Sequence, residues 1–395
     1  MNQTMRLRID DAEYRARIAR VWERVEEREA DCLILFGAKR IAWLCGYHLL
    51  ATERPVALIL DQRRLRALVP QLELEPARAC PLIDEVHHYF EYPGEGPPLK
   101  LLARLLKAAK RIIADSDGYP GIWGYEGPKL SELVRTEAEV VVEPKLIDEL
   151  WMVKSPAEIE LIRESAKWGV LAHRKLQEFA QAGMSEIELG LRASYEASRE
   201  MLKALGSEYG SHMRGGLPAH AGLISGERTA LPHAMSQNRR LEPGDLLITG
   251  ASADIWGYCS ELERTMIVGE PRADQRRYFS IMVEAQSLGI ERSGPGVPLA
   301  EVDRTVHDFL VKQGMKEFLR HHTGHHLGFM PHEPPFIDRD SPGEMQPGQV
   351  FSIEPGIYIP GHGGYRHSDT ILITEEGVEV LTDYPRELES LIAPV

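Results

Sequence analysis

Near position 150 the chain changes character, and that change sets its architecture. Ser155-Pro156-Ala157-Glu158 combines a capping serine, a proline at the first helical position and a glutamate at the third, which together start a helix. Ile159, Ile162, Ala166 and Val170 then lie on one helix face. A chain of 395 residues exceeds one ordinary core. We place the boundary between Asp148 and Ser155, giving domains over residues 1–150 and 151–395.

The first part has the rhythm of a small α/β domain. Tyr14, Ile18, Val21, Trp22 and Val25 recur at helical spacing, predicting an amphipathic first helix. Short apolar runs follow at 32–36, 56–60, 65–70, 111–114 and 140–142, alternating with helical stretches such as 101–110. The second part predicts two helices, strands around 223–225, 246–253 and 258–268, helices over 275–292 and 299–313, and strands at 351–359 and 370–373. Strands separated by clustered helices give an α+β class, with helices on one face of a curved sheet.

Composition narrows the partners. A net charge of −14 without any basic block argues against nucleic acid. The polar first residues lack the apolar core of a signal peptide, and no run of about 18 uncharged apolar residues exists to span a membrane. Cys32, Cys45, Cys80 and Cys259 are scattered, without a Cys-x-x-Cys, and fit reduced thiols. The expectation is a cytoplasmic protein acting on a small molecule, with no nucleic-acid or membrane partner.

Chemistry-bearing residues concentrate in the second part. His325 stands in Thr323-Gly324-His325-His326-Leu327-Gly328, and Glu354 in Ser352-Ile353-Glu354-Pro355-Gly356. Upstream lies Gly257-Tyr258-Cys259-Ser260-Glu261-Leu262-Glu263-Arg264-Thr265, and downstream Gly363-Gly364-Tyr365-Arg366-His367-Ser368-Asp369-Thr370. His233, in Leu231-Pro232-His233-Ala234, precedes Glu263 by thirty residues; His332 opens His332-Glu333-Pro334-Pro335. Imidazoles titrate near neutrality and can pass a proton between water and nitrogen, although a His capping a loop has the same local sequence. Glu333-Pro334-Pro335 reads as a loop-shaping element, because paired prolines fix backbone direction. His321, His322 and His326 read as supporting groups.

These motifs resemble the pita-bread family of methionine aminopeptidase, prolidase, aminopeptidase P and creatinase. The likeness is strong from about residue 146 to the C-terminus and looser before it. It implies a small N-terminal creatinase-like α/β domain followed by a C-terminal pita-bread domain. In the family's metallopeptidases, two Asp eleven residues apart, one His and two Glu hold two metals. Here Glu261 falls on the second Asp, Gly250 stands eleven residues before it, and Ser368 falls on the last Glu. Two cations a few ångströms apart repel strongly without bridging anions, so this set implies no dinuclear centre. Glu261, His325 and Glu354 remain, a set suited to at most one zinc or manganese ion.

Creatinase, the member that works without metal, reads Leu-Glu-Arg-Thr where this chain has Leu262-Glu263-Arg264-Thr265, and its tail also carries Gly-Gly-Tyr-Arg. Ectoine hydrolase, which opens a cyclic amidine, looks like a member of the same branch. This resemblance implies that Glu263 and Glu354 hold a guanidinium or amidinium by bidentate pairing. It further implies that His233 is general base then acid and that His325 and His332 polarise the attacked group, with Glu261 an additional substrate-binding carboxylate or a nucleophile. Tyr258 and Arg366 flank the site, either against substrate or only shaping it. Arg54 matches a creatinase Arg that binds substrate carboxylate across a homodimer; a surface ion pair with Glu53 is the alternative. The expected activity is hydrolysis of a C–N bond in a small cationic or zwitterionic metabolite, with no cofactor. A single-metal Xaa-Pro peptidase and a non-catalytic binding protein on a peptidase scaffold are the alternatives.

Overall fold

The structure, a computed structural model, describes residues 7–94, 96–121, 124–212 and 216–395. The chain divides into two compact units, Ile9–Trp151 and Met152–Val395.

In the N-terminal unit Asp10 caps α1 (Asp11–Glu26) by accepting from the Glu13 amide at 2.8 Å, and the helix buries Ile18, Val21, Trp22 and Val25. There follow β1 (Cys32–Leu35), α2 (Ala38–Cys45), β2 (Ala57–Asp61), β3 (Arg64–Pro70), α3 (Leu74–Ala79) and β4 (Glu85–Tyr89). The unit ends with α4 (Leu99–Leu105), β5 (Arg111–Ala114), α5 (Leu130–Val134), β6 (Glu139–Val142) and α6 (Lys145–Trp151). Its sheet runs β4-β3-β2-β1-β5-β6, over a core that includes Ile34, Ile59, Leu68, Leu102 and Ile112. The helix expected at 101–110 begins and ends earlier, because Pro98 pre-sets the first turn. β4 was not foreseen, since Glu85-Val86-His87-His88-Tyr89 lacks an apolar run.

The C-terminal unit starts where the capping box requires. Ser155 Oγ accepts from the Glu158 amide at 3.2 Å, and Glu158 accepts from the Ser155 amide at 2.8 Å. The elements are α7 (Pro156–Phe179), α8 (Glu186–Leu205), β7 (Ala219–Ser225), β8 (Leu246–Ala253), β9 (Leu262–Val268), α9 (Ala273–Arg292), α10 (Leu299–Lys312), β10 (Gly324–His326) and β11 (Glu333–Ile337). They continue through β12 (Val350–Ile353), β13 (Gly356–Ile359), β14 (Gly363–Arg366), β15 (Ser368–Ile373), β16 (Val378–Val380) and β17 (Ile392–Ala393). The large sheet runs β11-β10-β12-β15-β9-β8-β7, with β16 against β15 and β17 against β9; β13 and β14 form a separate hairpin. Helices α7 and α8 approach strands β8 and β7 closely through glycine. A Cβ at Gly169 would stand 3.2 Å from the Ser252 Cα, and one at Gly190 would stand 3.1 Å from the Ala221 carbonyl oxygen.

Two expected strands are modified for physical reasons. The strand at 351–359 breaks into β12 and β13 because Pro355 has no N–H to extend the ladder. The strand at 258–268 starts only at Leu262, because Trp256 and Gly257 turn the chain with φ of 53° and 87°. Among the described residues no helix is long and apolar enough to cross a membrane.

β9 and β15 are locked beneath the sheet by an ion pair. Arg264, fully buried, donates to Asp369 Oδ1 at 2.8 Å and to the carbonyls of Ser368, Tyr384 and Pro385 at 3.0, 3.0 and 2.8 Å. Thr382 and Gln286 donate to the same carboxylate, each at 2.9 Å. Removing one partner of such a pair typically costs about 3–5 kcal/mol. Asp369→Asn is therefore expected to lower the stability of this unit by roughly that amount, read from its chemical-denaturation midpoint.

Candidate active site

The opposite face of these strands gathers the carboxylates. Glu261 precedes β9 with its amide donating to Thr370 Oγ1 at 2.8 Å; Glu263 lies within β9. Glu354 follows β12, and its amide donates to the Thr323 carbonyl at 2.8 Å. His325, on β10, is fully buried and donates from its backbone to Ser352 Oγ at 3.1 Å. Each ligand-bearing residue thus sits on, or one residue beyond, a strand of one sheet.

His325 is oriented by its backbone. Nδ1 lies 3.1 Å from the His326 carbonyl, so Nε2 faces the carboxylates, 3.1 Å from Glu354 Oε1 and 3.6 Å from Glu261 Oε2. Nε2 meets neither oxygen in hydrogen-bonding geometry and is a buried nitrogen without such a partner. The His332 ring stacks on His325, with centroids 3.7 Å apart. Ser368, where the family resemblance places the last carboxylate, donates its hydroxyl to Glu261 Oε1 at 2.7 Å.

The charges interact strongly. Burial, reinforced by Glu354 and Glu263, lifts the Glu261 carboxyl to about 8. Burial opposes ionisation of Glu354 too, but His325 and Arg366 outweigh it and hold that carboxyl near 2. Burial also opposes charging of His325, yet Glu354 and Glu261 raise it to about 9. Burial and the neighbouring His325 lower His332.

Glu263 is engaged by the protein itself. Arg366 on β14 pairs with both of its oxygens, Nε with Oε2 and Nη2 with Oε1, the latter at 2.7 Å. The same guanidinium donates to Tyr358 Oη at 3.1 Å and to the Pro232 carbonyl at 3.4 Å, and its Nε stands 3.8 Å from Glu354 Oε2. This departs from the expectation that Glu263 and Glu354 await a substrate guanidinium and that Arg366 lies against substrate. One guanidinium already lies across the two carboxylates, and it belongs to Arg366.

His233 is exposed on a loop whose ends are pinned. The buried Glu186 carboxylate accepts from the Ser225 amide at 2.9 Å, Arg228 at 3.0 Å and the Gln237 amide at 2.6 Å. His233 adds to the lowering of His332, behind burial and His325. Tyr258, expected against substrate, is buried, and its hydroxyl donates to Glu158 at 2.8 Å. Arg54, in the N-terminal unit, is held by Glu91 at 2.6 Å and also by Glu53, so the ion pair given as the alternative is present and extends to Glu91. His321 reaches Tyr358 Oη through Nε2 at 2.7 Å.

Sequence reasoning missed three contributors. Tyr358 bridges His321 and Arg366. Glu333, taken as part of a loop-shaping segment, is fully buried and meets Lys154 Nζ at 2.6 Å, His326 Nδ1 at 2.9 Å and the Met330 amide at 2.7 Å. No local pattern announces Lys154, which lies 179 residues from its partner.

The donor set forms a candidate site for a divalent cation. Glu261, His325 and His332 offer ligand atoms within 4.8 Å of one another, as do Glu261, Glu263 and Glu354. An imidazole whose Nδ1 is tied to a carbonyl and whose Nε2 faces carboxylates is arranged as a metal ligand needs. Gly250 offers no side chain and Ser368 no carboxylate at the two other positions that the family resemblance assigns to ligands.

A mixed α/β unit ahead of an antiparallel sheet with inward carboxylates and histidines is the architecture of pita-bread hydrolases. Comparison with known proteins agrees. Residues 160–375 match metallopeptidase family M24 and residues 17–127 match the creatinase/prolidase N-terminal domain. A Xaa-Pro dipeptidase of Pyrococcus furiosus is 34% identical over 272 residues, covering 67% of this chain and 74% of that protein. An uncharacterized peptidase of Bacillus subtilis is 33% identical over 255 residues, covering 65% of this chain and 69% of that protein. The solved structure of a recombinant prolidase from Thermococcus sibiricus superposes with a TM-score of 0.82 at 27% identity, covering 98% of this chain and all of that one. The chain belongs to metallopeptidase family M24, a family of hydrolases acting on C–N bonds. These relatives favour the peptidase alternative over the creatinase-like expectation.

Burial opposes ionisation of Glu333, but Lys154 and His326 outweigh it and bring its carboxyl to about 2. Its folded pKa lies below the roughly 4.3 of a free glutamate, so its stabilisation is complete above that value and fades as pH falls toward 2. Glu333→Gln is expected to lower the melting temperature at pH 7. The gap to wild type should narrow below about pH 4, as a thermal-melt series against pH would show.

Proposed function

We propose that the protein is a peptidase that hydrolyses the C–N bond of small Xaa-Pro-type peptides, using one divalent cation at Glu261, His325 and Glu354. The carrying observation is the Glu263–Arg366 pair. It removes one of the two carboxylates an amidinium substrate would need, while Glu261, His325 and Glu354 remain grouped. The named Xaa-Pro dipeptidase and prolidase relatives support the same substrate class.

When bound, such a cation supplies Lewis acidity toward a carbonyl oxygen and lowers the pKa of water. The chain's own groups do the rest. His332, whose charging is disfavoured by burial, offers an N–H to the carbonyl oxygen as negative charge develops there. His233, exposed on its pinned loop, takes a proton from the attacking water and returns it to the departing nitrogen. Arg54 anchors the substrate carboxylate in a homodimer, exchanging its contact with Glu91 for that group.

With one equivalent of Mn²⁺ or Zn²⁺, wild-type protein is expected to cleave Xaa-Pro dipeptides and to leave creatine and ectoine intact. Hydrolysis of either of those compounds, with dipeptides untouched, would reject the reading. His233→Ala is expected to lower kcat about 10²–10⁴-fold on a dipeptide substrate with the fold retained by circular dichroism. A variant turning over near the wild-type rate would remove His233 from the mechanism.

A further inference from the structure

Two of the four cysteines meet in the N-terminal unit. Cys45 is the last residue of α2 and Cys80 directly follows α3, so two helix C-termini bring the thiols together. Cys80 Sγ lies 3.5 Å from the Cys45 carbonyl oxygen, and the two thiol groups hydrogen-bond to each other. A second contact fixes the same approach. Tyr47, just beyond Cys45, donates its hydroxyl at 3.3 Å to Glu73, which immediately precedes α3. The pairing is therefore part of how this unit packs, although the two cysteines stand 35 residues apart in the chain.

The two sulfurs differ in exposure. Cys45 is buried, with Sγ 3.3 Å from the Ile41 carbonyl oxygen, whereas Cys80 is partly exposed. They differ in acidity as well. The Cys45 thiol donates to Cys80 and, with the amides of Leu82 and Ile83, outweighs burial and lowers the Cys80 thiol below its ordinary value. The same contact, reinforced by burial, raises Cys45. A lowered, reachable thiol is the one that attacks an oxidant, and a thiol held beside it is placed to attack next. The other two cysteines are placed differently. Cys32, on β1, is buried, and burial lifts its thiol to about 12. Cys259 belongs to the C-terminal unit, its Sγ 3.4 Å from the Gly328 carbonyl oxygen.

We infer that Cys45 and Cys80 form an oxidation site for hydroperoxides, closing to a reversible disulfide. It stands apart from the peptidase reading, since no residue of the candidate active site takes part. The Cys80 thiolate attacks one oxygen of the hydroperoxide; an S–O bond forms, the O–O bond breaks, and the departing oxygen takes a proton and leaves as water or alcohol. The Cys45 sulfur then displaces hydroxide from the Cys80 sulfenic acid. An S–S bond replaces the S–O bond, and the Cys45 proton leaves with the hydroxide as water. Two thiols thus lose two electrons to one hydroperoxide, and a dithiol reductant returns both. The link joins the end of α2, where Gly46 with φ of 72° starts the segment leading to Arg54, to the end of α3.

The test treats reduced full-length protein with hydrogen peroxide, blocks the remaining thiols with N-ethylmaleimide and maps them by mass spectrometry, with no substrate present. Free thiols are expected to fall from four to two, with a linked peptide pair carrying Cys45 and Cys80 of one chain. Dithiothreitol is expected to restore all four. Cys45→Ser is expected to stop at a Cys80 sulfenic acid, trapped as its dimedone adduct, and Cys80→Ser to keep its thiols under the same treatment. Oxidation of Cys32 or Cys259 ahead of the pair, a link between chains, four thiols left reduced, or a folded Cys45→Ser without the adduct would each overturn the inference. If Cys45→Ser does not fold, the wild-type peptide map decides alone.

Discussion

Everything at the site depends on the register between β9 and its two neighbours. Successive residues of a strand point to opposite faces, so Glu263 and Arg264 are dealt to the two sides of the sheet. A slip of one residue would bury Glu263 among the supporting contacts and turn Arg264 into the site. Arg264 prevents this from below. Its guanidinium is matched to Asp369 and to three carbonyls on segments that no shifted strand could reach together. The cluster on the upper face is as well placed as it is because a buried ion pair on the lower face tolerates no other alignment.

Above the sheet the governing quantity is the ratio of negative to positive charge. Glu261, Glu263 and Glu354 lie within 4.8 Å of one another, close enough that all three cannot ionise without compensation. The protein supplies two compensating groups, Arg366 against Glu263 and His325 against Glu354, and the third carboxyl is driven upward instead. A divalent cation at Glu261, His325 and Glu354 would take the place of the proton on His325 and balance the two carboxylates. The same geometry accounts for the resemblance to a guanidinium-binding enzyme: the carboxylates are matched to a guanidinium, but to one carried in the chain.

The parts of this arrangement that were legible in the sequence are those written in local spacing. Ser155 and Glu158 announce α7 because a capping box is contained within four residues. Glu261, His325 and Glu354, and the gaps at Gly250 and Ser368, were readable because ligand spacing reflects strand register directly. The pairing of Glu263 with Arg366 was not, since 103 residues separate them and only the turn at Pro355 and the hairpin after it bring them together. Tyr258 was misplaced for a related reason. Its neighbours in the motif face the site, but the turn through Trp256 and Gly257 sends its hydroxyl back to Glu158. Glu333 was underestimated because a buried carboxylate beside two prolines has the same sequence as an exposed one.

The β13–β14 hairpin has one more implication, for how such a site can diverge. Pro355 ends one ladder and Gly356 begins another, so the chain leaves the large sheet at Glu354 and returns at Ser368 after a self-paired excursion. Gly356 stands opposite Arg366 at the base of that excursion, while Ile359 and Gly363 flank its tip. Length added between Ile359 and Gly363 would leave the base unchanged, because paired strands transmit no translation from tip to root. A residue gained or lost at the base of the hairpin, by contrast, would shift Arg366 out of line with Glu263.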